Sequence, residues 1–231
     1  MLIIAHRANV SGPEPARENS LERTAECIAR GWSVETDIRR APDGRFYVSH
    51  DAAPWSAENN AVAFSALWRR SRALVALNIK ELGDEVALID FLREQRLLQH
   101  VFLFDMELLE STPGITASRF RALDDHVVLG ARVSDRNEPI DRALGIACAD
   151  IVWLDEFDHL WATAADVRAI QLAGRAVFGV SPELHGATPD VMRARWFDFI
   201  EWGVDGICTD APEELAVLLD QVRGERTGRA A

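Results

Sequence analysis

Short apolar runs that end in polar residues recur along the chain, and most are followed by a stretch whose apolar positions are spaced for a helix. Leu2 to Ala5 ends at His6 and Arg7; a run continuous in apolar residues is what a strand covered on both faces requires. After a loop holding Gly12, Pro13 and Pro15, the positions Leu21, Ala25, Ile28 and Ala29 predict a helix, capped by Asn19 or Ser20 and stopped at Gly31. Ser33 to Ile38 predicts the next strand. The turn Pro42-Asp43-Gly44 leads to a return strand at Phe46 to Val48, and His50 and Asp51 follow. Ala52 to Phe64 reads as irregular, with a short helical piece near Leu67 and Trp68.

From there the alternation is regular. Strands are predicted at Ala73 to Lys80, Val101 to Asp105, Val127 to Arg132, Ile151 to Asp155, Ala176 to Ser181 and Val204 to Asp210, each separated by a helical pattern. Val86, Ile89, Phe91 and Leu92 supply one helix face; Val167, Ile170 and Leu172 supply another. The last helix opens at Pro212, with Glu213 and Glu214 near its positive end, and is expected to reach about Val222.

Eight alternating units predict an α/β fold, a single-domain (β/α)8 TIM barrel, over an open doubly wound sheet. The barrel is assigned to residues 1 to 223 and a flexible tail to 224 to 231. In such a barrel the strands' C-terminal ends surround one site. Here those ends carry His6 and Arg7, Glu35 and Asp37, Asn78 and Lys80, Asp105, Arg132, Asp155, Ser181 with Glu183 and His185 beyond it, and Asp210.

Glu35 and Asp37 lie two apart, so on a strand both carboxylates project from one face. With a histidine delivered by the return strand, the cluster reads either as a metal site with an acid/base group or as surface charge on a hairpin. The formal net charge of −12 disfavours nucleic acid and anionic membranes, so a phosphate-bearing ligand needs a local cation. Cys27, Cys148 and Cys208 are odd in number and lie in apolar surroundings, which predicts reduced thiols; with no signal-like or membrane-length run, a cytoplasmic location is expected. Asp43, Asp84, Glu94 and Asp220 read as surface charge; Trp68, Trp161, Trp196 and Trp202 read as packing, and Trp153 as lining the mouth beside Asp155.

Taken in order, His6-Arg7, Glu18-Asn19-Ser20, Glu35-x-Asp37, His50-Asp51, Asn78-Ile79-Lys80 and the segment from Gly203 to Pro212 resemble the motifs of the glycerophosphodiester phosphodiesterase family. The resemblance implies metal-dependent hydrolysis of a small glycerophosphodiester-type substrate, with His6 and His50 as acid and base. It also implies Arg7 and Lys80 on the phosphate, and Mg2+ or Ca2+ on Glu35 and Asp37. Asn78 stands where the family has a third carboxylate, and an amide is a weaker ligand, so Asp105, Asp155 or Glu18 becomes a substitute. Around this centre, Glu18, Asn19, Asp51, Arg132, Trp153, Asp155, Glu183 and His185 are candidates for orienting or substrate contacts. Two alternatives stay open: a non-catalytic barrel that binds a phosphorylated metabolite, and a lyase-type relative that releases a cyclic phosphate. The oligomeric state is not legible.

Overall fold

The computed structural model describes residues 1 to 228. Nine strands and eight helices follow in order: β1 (Leu2–Ala5), α1 (Leu21–Ala29), β2 (Ser33–Arg40), β3 (Phe46–Val48), α2 (Ala61–Trp68), β4 (Val75–Ile79), α3 (Glu85–Glu94), β5 (Val101–Phe104), α4 (Ile115–Leu123), β6 (Val128–Val133), α5 (Ile140–Gly145), β7 (Ile151–Leu154), α6 (Ala164–Leu172), β8 (Ala176–Val180), α7 (Pro189–Trp202), β9 (Gly206–Thr209) and α8 (Pro212–Gly228). Every strand except β3 pairs in parallel, and the pairing of β1 with both β9 and β2 closes an eight-stranded barrel. The anticipated hairpin is the exception: β3 runs antiparallel to the end of β2, with Ile38 opposite Val48.

Two apolar clusters follow from the two faces of each strand. Inside the barrel, Ile4, Ala76, Phe102, Phe104, Ile151, Trp153, Phe178, Val180 and Cys208 form a packed plug. Gly130 makes room for the rings: a Cβ there would lie 3.0 Å from that of Phe104. Outside, the strands' other faces meet the helices in the larger core.

Three expectations change. The segment taken as irregular up to Phe64 turns helical at Ala61, because Asn60 accepts from Val62 N–H and caps α2. Val86 and Leu172, read as core-facing, are 59% and 71% exposed, so the apolar stripes are narrower than the sequence pattern suggests. The last helix continues past Val222 to Gly228, so that of the tail only residues 229 to 231 lie outside the described residues. Ser20 rather than Asn19 caps α1, accepting from Arg23 N–H. No helix among the described residues is long and apolar enough to cross a membrane.

Candidate active site

The chain leaves β1 through a tight turn in which Arg7 and Ala8 hold φ of 46° and 59°. Left-handed backbone is costly for residues with a Cβ, and its occurrence at a strand end is a mark of functional constraint. The turn puts His6 and Arg7 side by side at the barrel mouth. Arg7 N–H donates to Glu35 Oε2 at 3.1 Å, and the Arg7 guanidinium reaches Glu18 at 3.2 Å and lies 3.8 Å from Asp37.

Glu35 and Asp37 are both buried, 2% and 1% exposed. Asp37 is surrounded by donors: Asn19 Nδ2 at 2.9 Å on Oδ2 and Lys80 Nζ at 3.2 Å from Oδ1. Asn19, itself at φ 53°, is fixed by Thr36, whose hydroxyl donates to its amide oxygen at 2.6 Å. Glu35 has fewer partners. Burial, then the neighbouring Asp37, pushes its carboxyl up to about 7.

His6 Nδ1 is 2.8 Å from Asp210 Oδ1, and its Nε2 is 3.9 Å from Glu35. Burial opposes charging the imidazole, yet the hydrogen bond to Asp210 and the fields of Glu35 and Asp210 outweigh it and the repulsion from Arg7, raising His6 above its ordinary value. Asp210 is held low in turn: its burial is outweighed by His6, Asn9 and Arg7. Asn9 donates to both Asp210 (2.7 Å) and Glu18 (3.2 Å), and ties the two ends of the chain together.

The opposite side of the mouth is a second network. Arg132 at the end of β6 is 5% exposed and donates to Asp105 at 2.5 Å and to Asp155, with Glu138 at 3.4 Å. Asn78 donates to Asp105 Oδ2 at 2.9 Å. Asp155 also accepts from Glu156 N–H (2.8 Å) and pairs with His185 Nε2 at 2.6 Å. Glu183 is held within the protein: it accepts from Thr209 Oγ1 (2.5 Å), the Asp210 N–H (3.0 Å) and Ser181.

The structure thus joins His6, Arg7, Glu18, Asn19, Glu35, Asp37, Lys80 and Asp210 in one cluster, and Asn78, Asp105, Arg132, Asp155 and His185 in a neighbouring one. One expectation is corrected. Trp153 does not line the mouth; it is 3% exposed inside the barrel, its ring 4.4 Å from that of Phe104. Asp105 is engaged through one oxygen by Arg132 and through the other by Asn78. His50 lies one residue beyond the contact of the hairpin with Asp37. Ser49 N–H bonds the Asp37 carbonyl at 3.1 Å, but the His50 side chain is 42% exposed at the rim and bonds Asp51, itself 93% exposed. Arg39 fixes that rim by donating to the His50 carbonyl at 2.7 Å. Asn9 and Glu138 are site residues that sequence reading missed; neither falls at a strand end or in a periodic pattern.

Among the described residues no group of three or more His, Cys, Asp or Glu side chains is arranged to hold a metal ion. The donors that remain are nevertheless hard oxygens. Glu35 Oε1 accepts no hydrogen bond among the described residues, and Asn78, with its nitrogen turned to Asp105, has its Oδ1 unengaged across the register from Asp37. Two buried carboxylates side by side are hard oxygen donors of the type a divalent cation takes.

No family model matches the sequence, and no curated protein matches it. Solved structures match by fold. A protein of Galdieria sulphuraria assigned as a glycerophosphodiester phosphodiesterase superposes with a TM-score of 0.74 at 18% identity, covering 95% of this chain and 97% of that one. A glycerophosphoryl diester phosphodiesterase from Parabacteroides distasonis gives 0.73 at 16% identity, covering 96% and 86%. A phosphodiesterase from Oleispira antarctica, in complex with its product sn-glycerol-3-phosphate, gives 0.68 at 16% identity, covering 95% and 97%. At these identities the likeness establishes a shared fold: this chain is a (β/α)8 barrel of the kind those phosphodiesterases use.

Proposed function

We propose that the protein is a phosphoric diester hydrolase acting on a small glycerophosphodiester-type substrate. The observation that carries the reading is the cluster at the mouth, where a histidine backed by a carboxylate, His6 with Asp210, sits beside Arg7, Lys80 and the buried pair Glu35 and Asp37. Phosphodiester cleavage needs positive charge on the non-bridging oxygens, a base for the attacking oxygen and an acid for the leaving one. Arg7 and Lys80 supply charge in a protein that is otherwise strongly acidic. His6, raised by its acidic neighbours, holds a proton at Nε2 for the leaving oxygen or takes one there. His50, whose Nε2 has no partner among the described residues and whose backbone Arg39 fixes, serves as the second acid/base group from the rim. Glu35 and Asp37, with Asn78 Oδ1, would hold Mg2+ or Ca2+, which when bound adds positive charge at the phosphate. The free thiols Cys27, Cys148 and Cys208 support a reducing, cytoplasmic setting.

The test is a panel of phosphodiesters assayed with Mg2+, Ca2+ and Mn2+ and again with EDTA. His6→Ala is expected to lower turnover by about 10³-fold, within the range for loss of a positioned acid/base group, and Glu35→Gln to abolish it. Turnover that survives EDTA refutes the metal, and turnover that survives His6→Ala refutes the mechanism. Phosphorus NMR of the products separates complete hydrolysis from release of a cyclic phosphate. Two observations favour a second reading, a binder of phosphorylated metabolites: Asn78 stands where the resemblance puts a metal carboxylate, and Lys80 already neutralises Asp37. Absence of turnover with every metal would select it.

A further inference from the structure

We propose that His185, held by Asp155, is a specificity residue that accepts a hydroxyl from the alcohol part of the substrate and so selects neutral polyol esters over simple alkyl esters. The proposal rests on the phosphate being bound at the His6 side of the mouth. His185 ends the turn Pro182–His185 that follows β8, and Leu184 of that turn packs on the plug inside the barrel, which lays the turn over the mouth. The ring is fixed twice, by Asp155 Oδ1 at 2.6 Å and by the Phe157 ring, 4.4 Å away. Asp155 is 3% exposed and locked by Arg132 and the Glu156 N–H.

A carboxylate accepts only, so Nε2 carries the hydrogen of this contact, and in the neutral ring Nδ1 is then the acceptor. Nδ1 has no partner among the described residues, and 21% of the side chain is exposed. Charge decides what that lone pair meets. Arg132 is consumed by Asp105, Asp155 and Glu138, so it is not free for a second anionic group. The face of Phe157 is taken by the Arg132 and Arg136 guanidinium groups, 4.8 and 4.4 Å from its centroid, which denies an aromatic surface to a quaternary ammonium. A neutral hydroxyl donor is the chemistry that fits.

The probes are sn-glycerol 3-phosphate and ethyl phosphate, which share a phosphomonoester and differ in hydroxyls. Each is titrated calorimetrically, in Mg2+ buffer, into the wild type and His185→Phe, a variant that keeps a ring at a partly exposed position. The wild type is expected to prefer glycerol phosphate by about tenfold, as one neutral hydrogen bond allows. His185→Phe should lose that preference and keep its affinity for ethyl phosphate. Asp155→Asn, whose side chain can donate as well as accept and so no longer fixes which ring nitrogen of His185 carries the hydrogen, should weaken that preference too. Equal affinities in the wild type, a preference that persists in His185→Phe, equal weakening of both ligands, or no binding of either would each overturn the assignment. Because the readout is binding, a wild type that shows the preference without hydrolysing any diester sustains this inference while removing the proposed activity; turnover without the preference does the reverse.

Discussion

At the residue scale, the site works by setting titratable groups against one another. His6 owes its raised affinity for protons to Asp210 and Glu35, against its own burial. Asp210→Asn removes the hydrogen-bonded anion, so the limb of the kcat/KM profile governed by His6 should move to lower pH while the fold persists; an unmoved limb would remove Asp210 from the mechanism. Glu107 is a different case. It is 9% exposed, neither oxygen makes a well-formed hydrogen bond among the described residues, and burial, helped by the fields of Asp105 and Glu110, outweighs the nearby backbone N–H groups of Glu107 and Arg132 and pushes it up to about 7. A carboxyl raised in the folded state binds a proton there that the unfolded chain has already released. Its contribution to stability is therefore full below about 4.5 and is lost as pH rises through about 7. Glu107→Gln keeps the shape and cannot ionise. Relative to wild type it should gain up to about 3 kcal/mol above pH 8 and nothing at pH 4, judged by urea unfolding at both pH values. Parallel pH dependence in the two proteins would show that the carboxyl is relieved in solution.

At the element scale, backbone proximity between strands and helices sets what can be changed. Gly179 of β8 faces α7 so closely that an added Cβ would lie 2.7 Å from the Phe199 ring. Gly179→Ala is expected to cost about 1 to 3 kcal/mol by overpacking. Gly203, the left-handed residue that ends α7 at φ 75°, has open space around it, so Gly203→Ala should cost only about 1 kcal/mol of backbone strain. Thermal unfolding of both variants checks the order; the reverse order would contradict the packing of β8 on α7. The same distinction explains what was legible in the sequence. The eight barrel strands and the polar residues at their C-terminal ends follow from periodicity and local chemistry, and the barrel then gathers those ends at one mouth. Partner choice does not follow in this way. That Lys80 neutralises Asp37, that Asn9 joins Asp210 to Glu18, and that Arg132 occupies Asp105 all depend on register and turn geometry between elements far apart in the chain. His50 shows the limit most clearly. The hairpin was readable, but the step from Ser49 to the half-exposed rim was not. Trp153 was misplaced for a related reason: a strand's alternation says that it shares a face with Asp155, not how far down the barrel that face is filled.

At the scale of the whole molecule, closure of the barrel couples regions that touch different cores. Cys27 lies on α1 against the outer core and Cys208 on β9 inside the plug, and both are fully buried. Burial pushes the Cys27 thiol up to about 12, and burial with the surrounding carboxylates raises Cys208 well above its ordinary value. Since the thiolate is the reactive form, neither should react with a disulfide reagent in the folded protein, whereas Cys148, partly exposed, should. One thiol is therefore expected to titrate in native protein and two more on unfolding. A closed barrel has no free edge from which one strand can peel while the rest remains paired, so opening either core should open the other. With increasing urea, Cys27 and Cys208 should become reactive over one transition, coincident with loss of helical circular dichroism. Mass spectrometry of labelled peptides distinguishes the two sites. Exposure of Cys27 at a clearly lower urea concentration than Cys208 would mean that α1, and with it the Glu18 and Asn19 contacts to Arg7 and Asp37, detaches from an intact barrel. The His6 side of the mouth would then be the less stable half of the site.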